Sequence, residues 1–454
     1  MRAEVLVVGG GLAGSAAAIS LARGGRDVAL VEREARPVHK VCGEFLSMEA
    51  LAYLRALGVD PVALGAVEIS AVRLAGGTGM SENRLPFPAL SLTRRRLDEE
   101  LLLLAVEAGV RVVRGRTVEG VEAASGGWRV RLGEGERATA TARSRFPSGM
   151  TERNANANAN ANANANASAS AKASASASAS ANANASASAS ASANASATAK
   201  ANAEDAEGTR RDAEEGGGTE AEIGMKVNIE AGAVFLATGK HDVRGRARPA
   251  GRQNDLVAFK MYWRLAPAQT AAMQGYVDLI MYRGGYGGLQ LVEDGAANLC
   301  CLIERDELRR LGGRWEKLLA QSPHLRERLE GAEALLERPL AVSAIPYGMV
   351  REHADGVWHL GDQAAVVPSF TGDGMAIALH TGMLAAQMYL AGETAQSFQR
   401  RVHGELSRQV GLATWLSRGL VNRPGLMGVT ARIWPGALRV VATRTRIPAG
   451  RMLA

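Results

Sequence analysis

Cysteine is scarce in this chain of 454 residues, which contains only Cys42, Cys300 and Cys301. Because the last two are adjacent, the chain cannot build an ordinary disulfide framework, and its cysteine use indicates a reducing compartment. The three cysteines and the seven histidines show no spacing typical of metal ligands, so no metal site is predicted.

Long apolar runs are also missing. No stretch reaches 18 apolar residues, so we predict no membrane-spanning helix. The N-terminal sequence MRAEVLVVGGGLAG places a basic residue before an apolar run, as signal peptides do, but glycines interrupt the run and no A-x-A cleavage site follows. With 47% hydrophobic and 22% charged residues, the composition predicts a soluble, cytoplasmic globular protein.

Most of the chain lacks a basic excess. The net charge is +7, but residues 400–454 contain ten arginines and one acid, Glu405, so the remainder is slightly acidic. This distribution argues against a nucleic-acid-binding protein. The arginines of the tail alternate with apolar residues such as Trp415 and Trp434, and two interpretations stay open. The tail forms helices that cover the preceding domain, or an amphipathic surface for anionic lipid or an acidic carrier protein.

One segment differs from the rest in composition. Every second residue between 154 and 203 is alanine, and almost all the others are Asn or Ser. These residues cannot bury enough apolar area to offset the entropy of ordering, so we predict a disordered insertion over 140–222. A strand pattern at 127–135 precedes it, and two strand-like runs at 225–239 follow it. A hairpin can carry such an insertion, because loop closure costs only about 0.6 kcal/mol per doubling of length.

The motif VVGGGLAG at 7–14 predicts a dinucleotide site. It holds Gly9, Gly11 and Gly14 in the G-x-G-x-x-G spacing, between a strand pattern at 5–8 and a helical pattern at 13–23. A second strand ends at Glu32, which is 23 residues beyond Gly9 and suits a ribose contact. The glycines permit a tight turn, close approach of the backbone to a pyrophosphate and close helix packing. The motif does not distinguish FAD from NAD.

A second glycine turn occurs at 372–374, within VWHLGDQAAVVPSFTGDGMAIALHTG (357–382). A short strand pattern ends at Asp362, and Pro368 precedes the turn, which opens a helix. This segment resembles the GD motif of the FAD monooxygenase and geranylgeranyl reductase families, which share a fold. The resemblance implies that Asp362 bonds the ribityl chain of FAD. It also implies that the turn places a positive helix end near the flavin ring, where it stabilises negative charge on the reduced ring.

Three shorter segments are similar to the same families. AVFLATGKHDVRG (233–245) resembles the segment that returns to the FAD domain through an ATG turn. SLTRRRLDEELL (91–102) resembles the Arg-x-x-x-Asp helix start, with Arg94 and Asp98 at the motif positions and Thr93 suited to cap the helix. HKVCGEFLS (39–47) resembles the K-x-C-G stretch of geranylgeranyl reductase-like flavoproteins, in which the cysteine loop lies near the flavin.

Two interpretations of Cys42 stay open. It lies beside the ring and tunes or protects it, or it is a small residue in a tight loop before Gly43. No paired base is evident, so a nucleophilic role is not predicted. Lys40 and Arg36 either contact cofactor phosphates or are solvated loop charges, and the second interpretation is preferred.

The substrate side departs from the family pattern. Geranylgeranyl reductases carry an aromatic Y-x-W-x-F-P strand along the prenyl site, whereas the corresponding segment here is GGYGGLQLVE (284–293). Tyr286 remains, but the Trp and the Phe-Pro are replaced, which disfavours a long isoprenoid substrate. The tandem Trp motif of flavin halogenases is absent as well. Tyr282 and Tyr286 are candidates to line the pocket, although aromatic residues on such strands are more often part of the core.

The resemblance implies an α/β fold: a Rossmann-like FAD-binding domain, an inserted mixed, antiparallel-rich β-sheet substrate domain and a helical C-terminal region. The expected divisions are the first part of the FAD domain at 1–139 with a substrate-side excursion near 60–90, the insertion at 140–222, the return to the FAD domain at 223–256, the substrate domain at 257–345, the GD motif and its helix at 346–395, and basic C-terminal helices at 396–454.

The implied cofactor is FAD, with NADPH or NADH as a transient reductant, since no second dinucleotide motif is apparent. No catalytic residue is assigned. The predicted cofactor-binding residues are Gly9, Gly11, Leu12, Ala13, Gly14, Glu32, Arg33, Cys42, Arg94, Asp362, Pro368, Gly372, Gly374 and Met375.

Three functions follow for a small-molecule substrate, and the first of them is the preferred prediction. The first is an FAD monooxygenase that hydroxylates an aromatic or polyketide-like metabolite with NAD(P)H and O₂. The second is a flavin-dependent double-bond reductase of the geranylgeranyl reductase type. The third is a non-catalytic binding protein that keeps the flavin fold.

Overall fold

The computed structural model describes residues 1–76, 79–134 and 227–422, all within one compact unit. The predicted insertion at 140–222 and the part of the basic tail beyond residue 422 lie outside the described residues. No helix in the described ranges is both long and apolar enough to cross a membrane.

The elements before residue 135 are β1 (Arg2–Val8), α1 (Leu12–Arg23), β2 (Val28–Glu32), β3 (Phe45–Leu46), α2 (Met48–Leu57), β4 (Val67–Gly76), β5 (Gly79–Ser91), α3 (Arg94–Glu107), β6 (Arg111–Arg114), β7 (Arg116–Ala124) and β8 (Gly127–Glu134).

From residue 227 the elements are β9 (Val227–Leu236), β10 (Leu256–Arg264), α4 (Pro267–Met273), β11 (Gly275–Tyr282), β12 (Gly285–Leu291), β13 (Ala297–Glu304), α5 (Arg305–Arg310), α6 (Trp315–Leu319), α7 (Pro323–Arg328), β14 (Glu333–Ala334), β15 (Leu340–Ser343), β16 (Trp358–His359), α8 (Gly374–Leu390) and α9 (Ala395–Asn422). Short 3₁₀ turns occur at Gly361–Gln363 and Ser369–Thr371.

The first sheet has seven strands in the order β6-β2-β1-β9-β8-β7, and β16 pairs with the end of β9. β6, β2, β1, β9 and β16 run parallel, while β7 and β8 run antiparallel to their neighbours. Strand β2, which lies between β6 and β1, reads VALVE and is buried along its whole length, as expected for a parallel strand covered on both faces.

The helices α1 and α8 pack against each other with their backbones in close approach. A Cβ atom added at Gly382 would lie 2.3 Å from the carbonyl oxygen of Ala13, so no side chain fits between the two helices at this point. Both helices contribute to the largest apolar core of the described chain, together with α2, α3 and the first half of α9.

The second sheet has nine strands in the order β14-β10-β13-β12-β11-β4-β5-β3, and β15 also pairs with β10. β11 and β4 run parallel, and the other pairs described are antiparallel. The short helices α4–α7 cover one face with Met273, Leu308, Leu318 and Leu325. The opposite face packs against residues 345–370 and against Leu420 and Val421 of α9.

This architecture confirms the predicted fold class, a Rossmann-like sheet with an inserted mixed, antiparallel-rich sheet. One local prediction was wrong: the two runs expected at 225–239 are a single strand, β9. Strand β9 runs through Gly232 without a break. A glycine suits this position, because a Cβ atom there would lie 3.0 Å from the carbonyl oxygen of Glu4 on the adjacent strand. β8 and β9 form the antiparallel pair expected around the insertion, with Leu132 opposite Val227.

Candidate functional site

The first glycine turn, residues 9–14, is built from closely approaching backbone. Gly9 has φ +105°, and a Cβ atom there would lie 2.5 Å from the carbonyl oxygen of Ala237. A Cβ atom at Gly14 would lie 1.9 Å from the carbonyl oxygen of Gly9. No side chain caps α1, so the amides of its first turn, at Leu12 and Ala13, are placed to meet an anionic group.

Glu32 lies at the end of β2, next to this turn. Its buried carboxylate accepts hydrogen bonds from the amide of Gly10 at 2.6 Å and from the amide of Glu34 at 3.1 Å. These bonds fix the acid beside the turn, as the ribose-contact prediction requires. Arg33, for which a cofactor contact is also predicted, pairs with the carboxylate of Glu34 at 2.7 Å.

A cluster of charged groups faces Gly11. Arg94 and Lys40 both bind the carboxylate of Asp98, at 2.8 and 2.7 Å. A Cβ atom at Gly11 would lie 3.3 Å from Nη2 of Arg94 and 4.0 Å from Nζ of Lys40. Burial alone would raise the pKa of Asp98, but the attraction of Arg94 and Lys40 outweighs it and lowers that pKa. Within this cluster the two cations exceed the one anion, while the separate carboxylate of Glu32 lies on the turn at Gly10.

The position of Lys40 corrects an interpretation made from the sequence, in which it was a solvated loop charge. Its ammonium group is instead held by Asp98 next to Gly11, on the side where a pyrophosphate would approach. Arg36, by contrast, is exposed. Thr93 caps α3 by accepting a hydrogen bond from the amide of Arg96, which fixes the helix start that carries Arg94.

The second glycine turn, residues 372–374, lies at the start of α8. Gly372 has φ +74°, and a Cβ atom there would lie 2.6 Å from the ring of Phe45. A Cβ atom at Gly374 would meet no atom within 4 Å, and no side chain caps the helix. The N-terminus of α8 therefore borders an open space. Pro368 and Met375 are buried, and the side chain of Met375 belongs to the core.

Asp362 lies in the 3₁₀ turn that follows β16, where it is half-buried. The turn is fixed by its neighbour Gly361, whose amide donates to the hydroxyl of Thr381 on α8 at 2.9 Å. A Cβ atom at Gly361 would lie 3.1 Å from Cβ of Ala13. The two glycine motifs predicted from distant parts of the sequence thus lie together.

The cysteine loop, residues 39–46, is held by a buried ion pair. Glu44 and Lys260 are both fully buried, and Nζ of Lys260 lies 2.6 Å from the Glu44 carboxylate. The same carboxylate accepts hydrogen bonds from the hydroxyl of Tyr262 and the amide of Arg94, both at 2.8 Å. Burial raises the pKa of Glu44, and the charge of Lys260 opposes that rise. Glu44 has φ +61°, an uncommon backbone conformation for a residue other than glycine.

The backbone of the cysteine loop is bound by side chains of the nine-stranded sheet. Asn298 donates to the carbonyl oxygens of Cys42 at 3.2 Å and Gly43 at 2.9 Å. Gln290 donates to the carbonyl oxygen of Glu44 at 3.1 Å, and Lys260 to that of Lys40 at 3.0 Å. These bonds fix the loop between the two sheets.

Cys42 is half-buried, and its sulfur accepts a hydrogen bond from the amide of Glu44 at 3.4 Å. A Cβ atom at the next residue, Gly43, would meet no atom within 4 Å. The loop therefore borders an open space next to the thiol. Both interpretations of Cys42 remain, because the thiol stabilises its own loop and also lies at that space.

On the face of the nine-stranded sheet that is turned towards the cysteine loop, five neighbouring strands each contribute one residue to a row across the sheet. We call this row the middle row. In register order the middle row is Lys260, Cys300, Gly288, Leu279 and Leu74. A Cβ atom at Gly288 would meet no atom within 4 Å, so the centre of the row is open. Burial raises the pKa of the Cys300 thiol to about 11, which keeps it neutral.

A further row of side chains on the same face, which we call a level, lies on each side of the middle row. One level is apolar and the other is polar. Ala258, Leu302, Tyr286 and Met281 form the apolar level, and the ring of Tyr286 meets that of Phe370 edge-on at 6.0 Å. Tyr262, Asn298 and Gln290 form the polar level, which binds the cysteine loop.

Tyr282 does not share a face with Tyr286. It lies in the core on the opposite side of the sheet, and its hydroxyl donates to the carbonyl oxygens of Tyr286 and Leu302. Tyr286 is thus the one of the two pocket candidates that lies on the site face.

Sequence reasoning missed the side chains that hold the cysteine loop. A signal for two of them exists in β10, where Lys260 and Tyr262 alternate with apolar residues in a strand that is otherwise apolar. Polar groups at every second position of a buried strand indicate one polar face. Nothing in the sequence alone links this face to Asn298, Gln290 or Glu44.

The residues present fit FAD. Uncapped helix starts and Arg94 with Lys40 suit a pyrophosphate, and Glu32 suits a ribose. Open space at Gly43 and Gly374 suits the flavin ring. Residues 2–146 match the family model described as FAD binding domain.

Two curated relatives are named as reductases. Menaquinone reductase of Mycolicibacterium smegmatis is 37% identical over 131 residues, which are 28% of this chain and 32% of that protein. Digeranylgeranylglycerophospholipid reductase 2 of Methanopyrus kandleri is 39% identical over 114 residues, which are 25% of this chain and 28% of that protein. The chain therefore spans about a third of the length of the curated relatives it matches.

Among solved structures, the flavin-dependent brominase Bmp2 matches with a TM-score of 0.65 over 100% of this chain and 96% of that chain, at 15% identity. Identity at this level shows the fold alone. Together with the matched domain and the reductase relatives, it confirms the predicted resemblance to FAD-dependent flavoproteins: residues 2–146 match an FAD binding domain, and the described chain has the fold of a solved flavin-dependent enzyme.

Proposed function

We propose that the protein is an FAD-dependent oxidoreductase that reduces a carbon–carbon double bond of an apolar small molecule, with NADPH or NADH as a transient reductant. The observation that carries the proposal is the middle row with its open centre at Gly288, together with the apolar level beside it, whose Tyr286 ring contacts that of Phe370. The reductase names of the two curated relatives support this choice over hydroxylation.

The chain's own residues have defined tasks in this proposal. Arg94 and Lys40 hold the pyrophosphate, and the N-terminus of α8 stabilises negative charge on the ring. When bound, FAD supplies the hydride-carrying ring. The cysteine loop covers one side of the open space, and Leu279, Leu74 and Tyr286 exclude water from it. In the net reaction, NAD(P)H and one proton are consumed, and the double bond gains two hydrogens.

A second candidate is hydroxylation of an aromatic or polyketide-like metabolite, in which NAD(P)H, O₂ and a proton yield the hydroxylated product and water. The departure of strand β12 from the prenyl-site pattern favours this candidate. Gly288 leaves the middle row flat and open, and the ring pair Tyr286–Phe370 borders it. A flat space with aromatic walls suits a planar ring.

The test is NADPH and NADH oxidation by the purified yellow protein with a panel of prenyl quinones and phenols, with and without oxygen. Anaerobic formation of a hydrogenated product supports the reductase. Oxygen consumption matched to a hydroxylated product supports the second candidate and rejects the first. A bound flavin that neither dithionite nor either nicotinamide reduces would indicate a binding protein without turnover.

A further inference from the structure

The outer face of α9 carries an arginine stripe, which we define as Arg400, Arg401, Arg408, Trp415 and Arg418. These residues follow helical spacing and are exposed, while Val402, Leu406, Val410 and Leu416 between them are buried. Trp415 is 71% exposed, more than any other large apolar side chain in the described ranges. An exposed tryptophan among arginines differs from the rest of this surface.

The stripe keeps a net positive charge, because only one of its four arginines pairs with an acid of the same helix. The sole acid in the sequence of α9 is Glu405, which is buried and binds His380 at 2.9 Å and Arg401 at 3.1 Å. Arg418 donates to the backbone carbonyl of Arg252, which leaves its charge in place. The sequence beyond residue 422 adds six arginines and no acid.

The inner side of the same helix end closes the apolar face of the nine-stranded sheet. Leu420 and Val421 pack in one cluster with Tyr286, Met281 and Leu302. Trp415 lies less than two turns earlier on the opposite side of the helix. The C-terminal end of α9 therefore carries the exposed stripe on one side and contacts the apolar level of the proposed substrate site on the other.

We propose that the arginine stripe docks on an anionic lipid surface, with Trp415 at the interface and the apolar ligand entering the sheet face past Leu420 from the lipid. Arginines bind anionic headgroups, and tryptophan favours the boundary between headgroups and acyl chains. An acidic protein would satisfy the arginines equally, but the exposed indole ring at the centre of the stripe favours lipid. The docking proposal is argued from the arginine stripe alone, whereas the proposed entry route for the ligand rests on the proposed function.

The experiment is co-sedimentation of the full chain with vesicles of equal parts phosphatidylglycerol and phosphatidylcholine, and with vesicles of phosphatidylcholine alone. We expect binding to the anionic vesicles that weakens with salt and little binding to the neutral ones. Arg408→Glu/Arg418→Glu is expected to weaken binding at least tenfold, since each arginine near such a surface contributes about a fivefold factor. Trp415→Ala is expected to weaken binding severalfold.

Matched controls are Arg55→Glu on α2 and Leu103→Ala on α3, which are exposed on other surfaces and should bind vesicles as the unaltered chain does. The flavin absorbance and unfolding midpoint of each variant report folding. Equal binding to both vesicle types, no binding, or stripe variants that bind like their controls would overturn the proposal. Stripe-dependent binding to an acidic carrier protein without vesicle binding would also overturn it. Sedimentation needs no turnover, so an inactive protein that still binds separates this proposal from the proposed function.

Discussion

The first glycine turn and the face of the nine-stranded sheet contribute to one site by opposite means. The turn uses backbone: Gly14 and Gly9 are so close that a single Cβ atom would lie 1.9 Å from an oxygen. The sheet face uses side chains, with Lys260, Asn298 and Gln290 reaching across to hold the cysteine loop. The turn has no room for a side chain at Gly9 or Gly14, whereas the sheet face depends on particular side chains.

This difference determines which changes each region tolerates. Where backbone fills the space, even a methyl group must displace the chain. Where a buried ion pair fills the space, removing one partner strongly destabilises the protein. Replacing both partners with groups that need no counter-charge destabilises it far less. The following predictions test this contrast, beginning with the largest effect.

Lys260→Met should destabilise the protein by about 3–5 kcal/mol, because Glu44 would keep a buried carboxylate without its cation. The double variant Lys260→Met/Glu44→Gln should recover most of that loss. Urea unfolding followed by circular dichroism measures both. Lys317→Met, which alters an exposed lysine on α6, is the control. If the single variant unfolds at the same urea concentration as this control, the ion pair does not stabilise the loop.

Gly14→Ala should weaken FAD binding by about tenfold to a hundredfold, because the added methyl group must displace the backbone that meets the pyrophosphate. Titration of the apoprotein with FAD, followed by flavin fluorescence, gives the Kd. Gly404→Ala on α9 is the control, since a Cβ atom there meets no atom within 4 Å. Unchanged affinity in Gly14→Ala would contradict the backbone description of the turn.

Gly288→Phe should lower kcat/KM by at least about tenfold while flavin absorbance stays normal, because the ring would fill the open centre of the middle row. Steady-state kinetics measures the effect, with the substrate that the panel of prenyl quinones and phenols yields. Gly287→Ala provides the contrast: its Cβ would lie 2.9 Å from the Cys301 sulfur on the other face. That change should reduce stability and spare substrate affinity. Normal kinetics in Gly288→Phe would place the substrate elsewhere.

The smallest effect concerns His39, whose ring nitrogen lies 3.1 Å from the Tyr262 hydroxyl. Burial, with the nearby charges of Lys260 and Arg95, lowers the pKa of His39 to about 4. Between about pH 6.5 and pH 4 the unfolded chain therefore binds more protons than the folded one, and stability falls as pH falls. Melting temperatures from pH 7.5 to 5 should decline less in His39→Asn than in the unaltered chain. Parallel curves would show that His39 does not titrate with unfolding.

The backbone region was predictable from the sequence nearly to the residue. The pattern at 13–23 corresponds to α1 at Leu12–Arg23, and the strand pattern at 5–8 lies within β1. A turn between adjacent elements is encoded by local glycine spacing. The second glycine turn needed the family resemblance as well, because its partner lies more than 300 residues earlier in the chain.

The sheet face could not be predicted in the same way. The middle row combines Leu74, Leu279, Gly288, Cys300 and Lys260, and its membership depends on the register of four strand pairs. Tyr282 and Tyr286 illustrate the difficulty. Both were pocket candidates, but in the β11–β12 hairpin Met281 is opposite Tyr286 and Tyr282 is opposite Gly285. Opposed residues share a face, so the two tyrosines point to different sides.

The close approach of α1 and α8 at Gly382 and Ala13 has a kinetic consequence. With no side chain between the two backbones, neither helix can move aside without disrupting the largest core among the described residues. Both glycine turns therefore lie at the starts of two helices that pack together as one rigid pair. We expect the residence time of bound FAD to be governed by how often the cysteine loop lifts off, and Lys260→Met to shorten it.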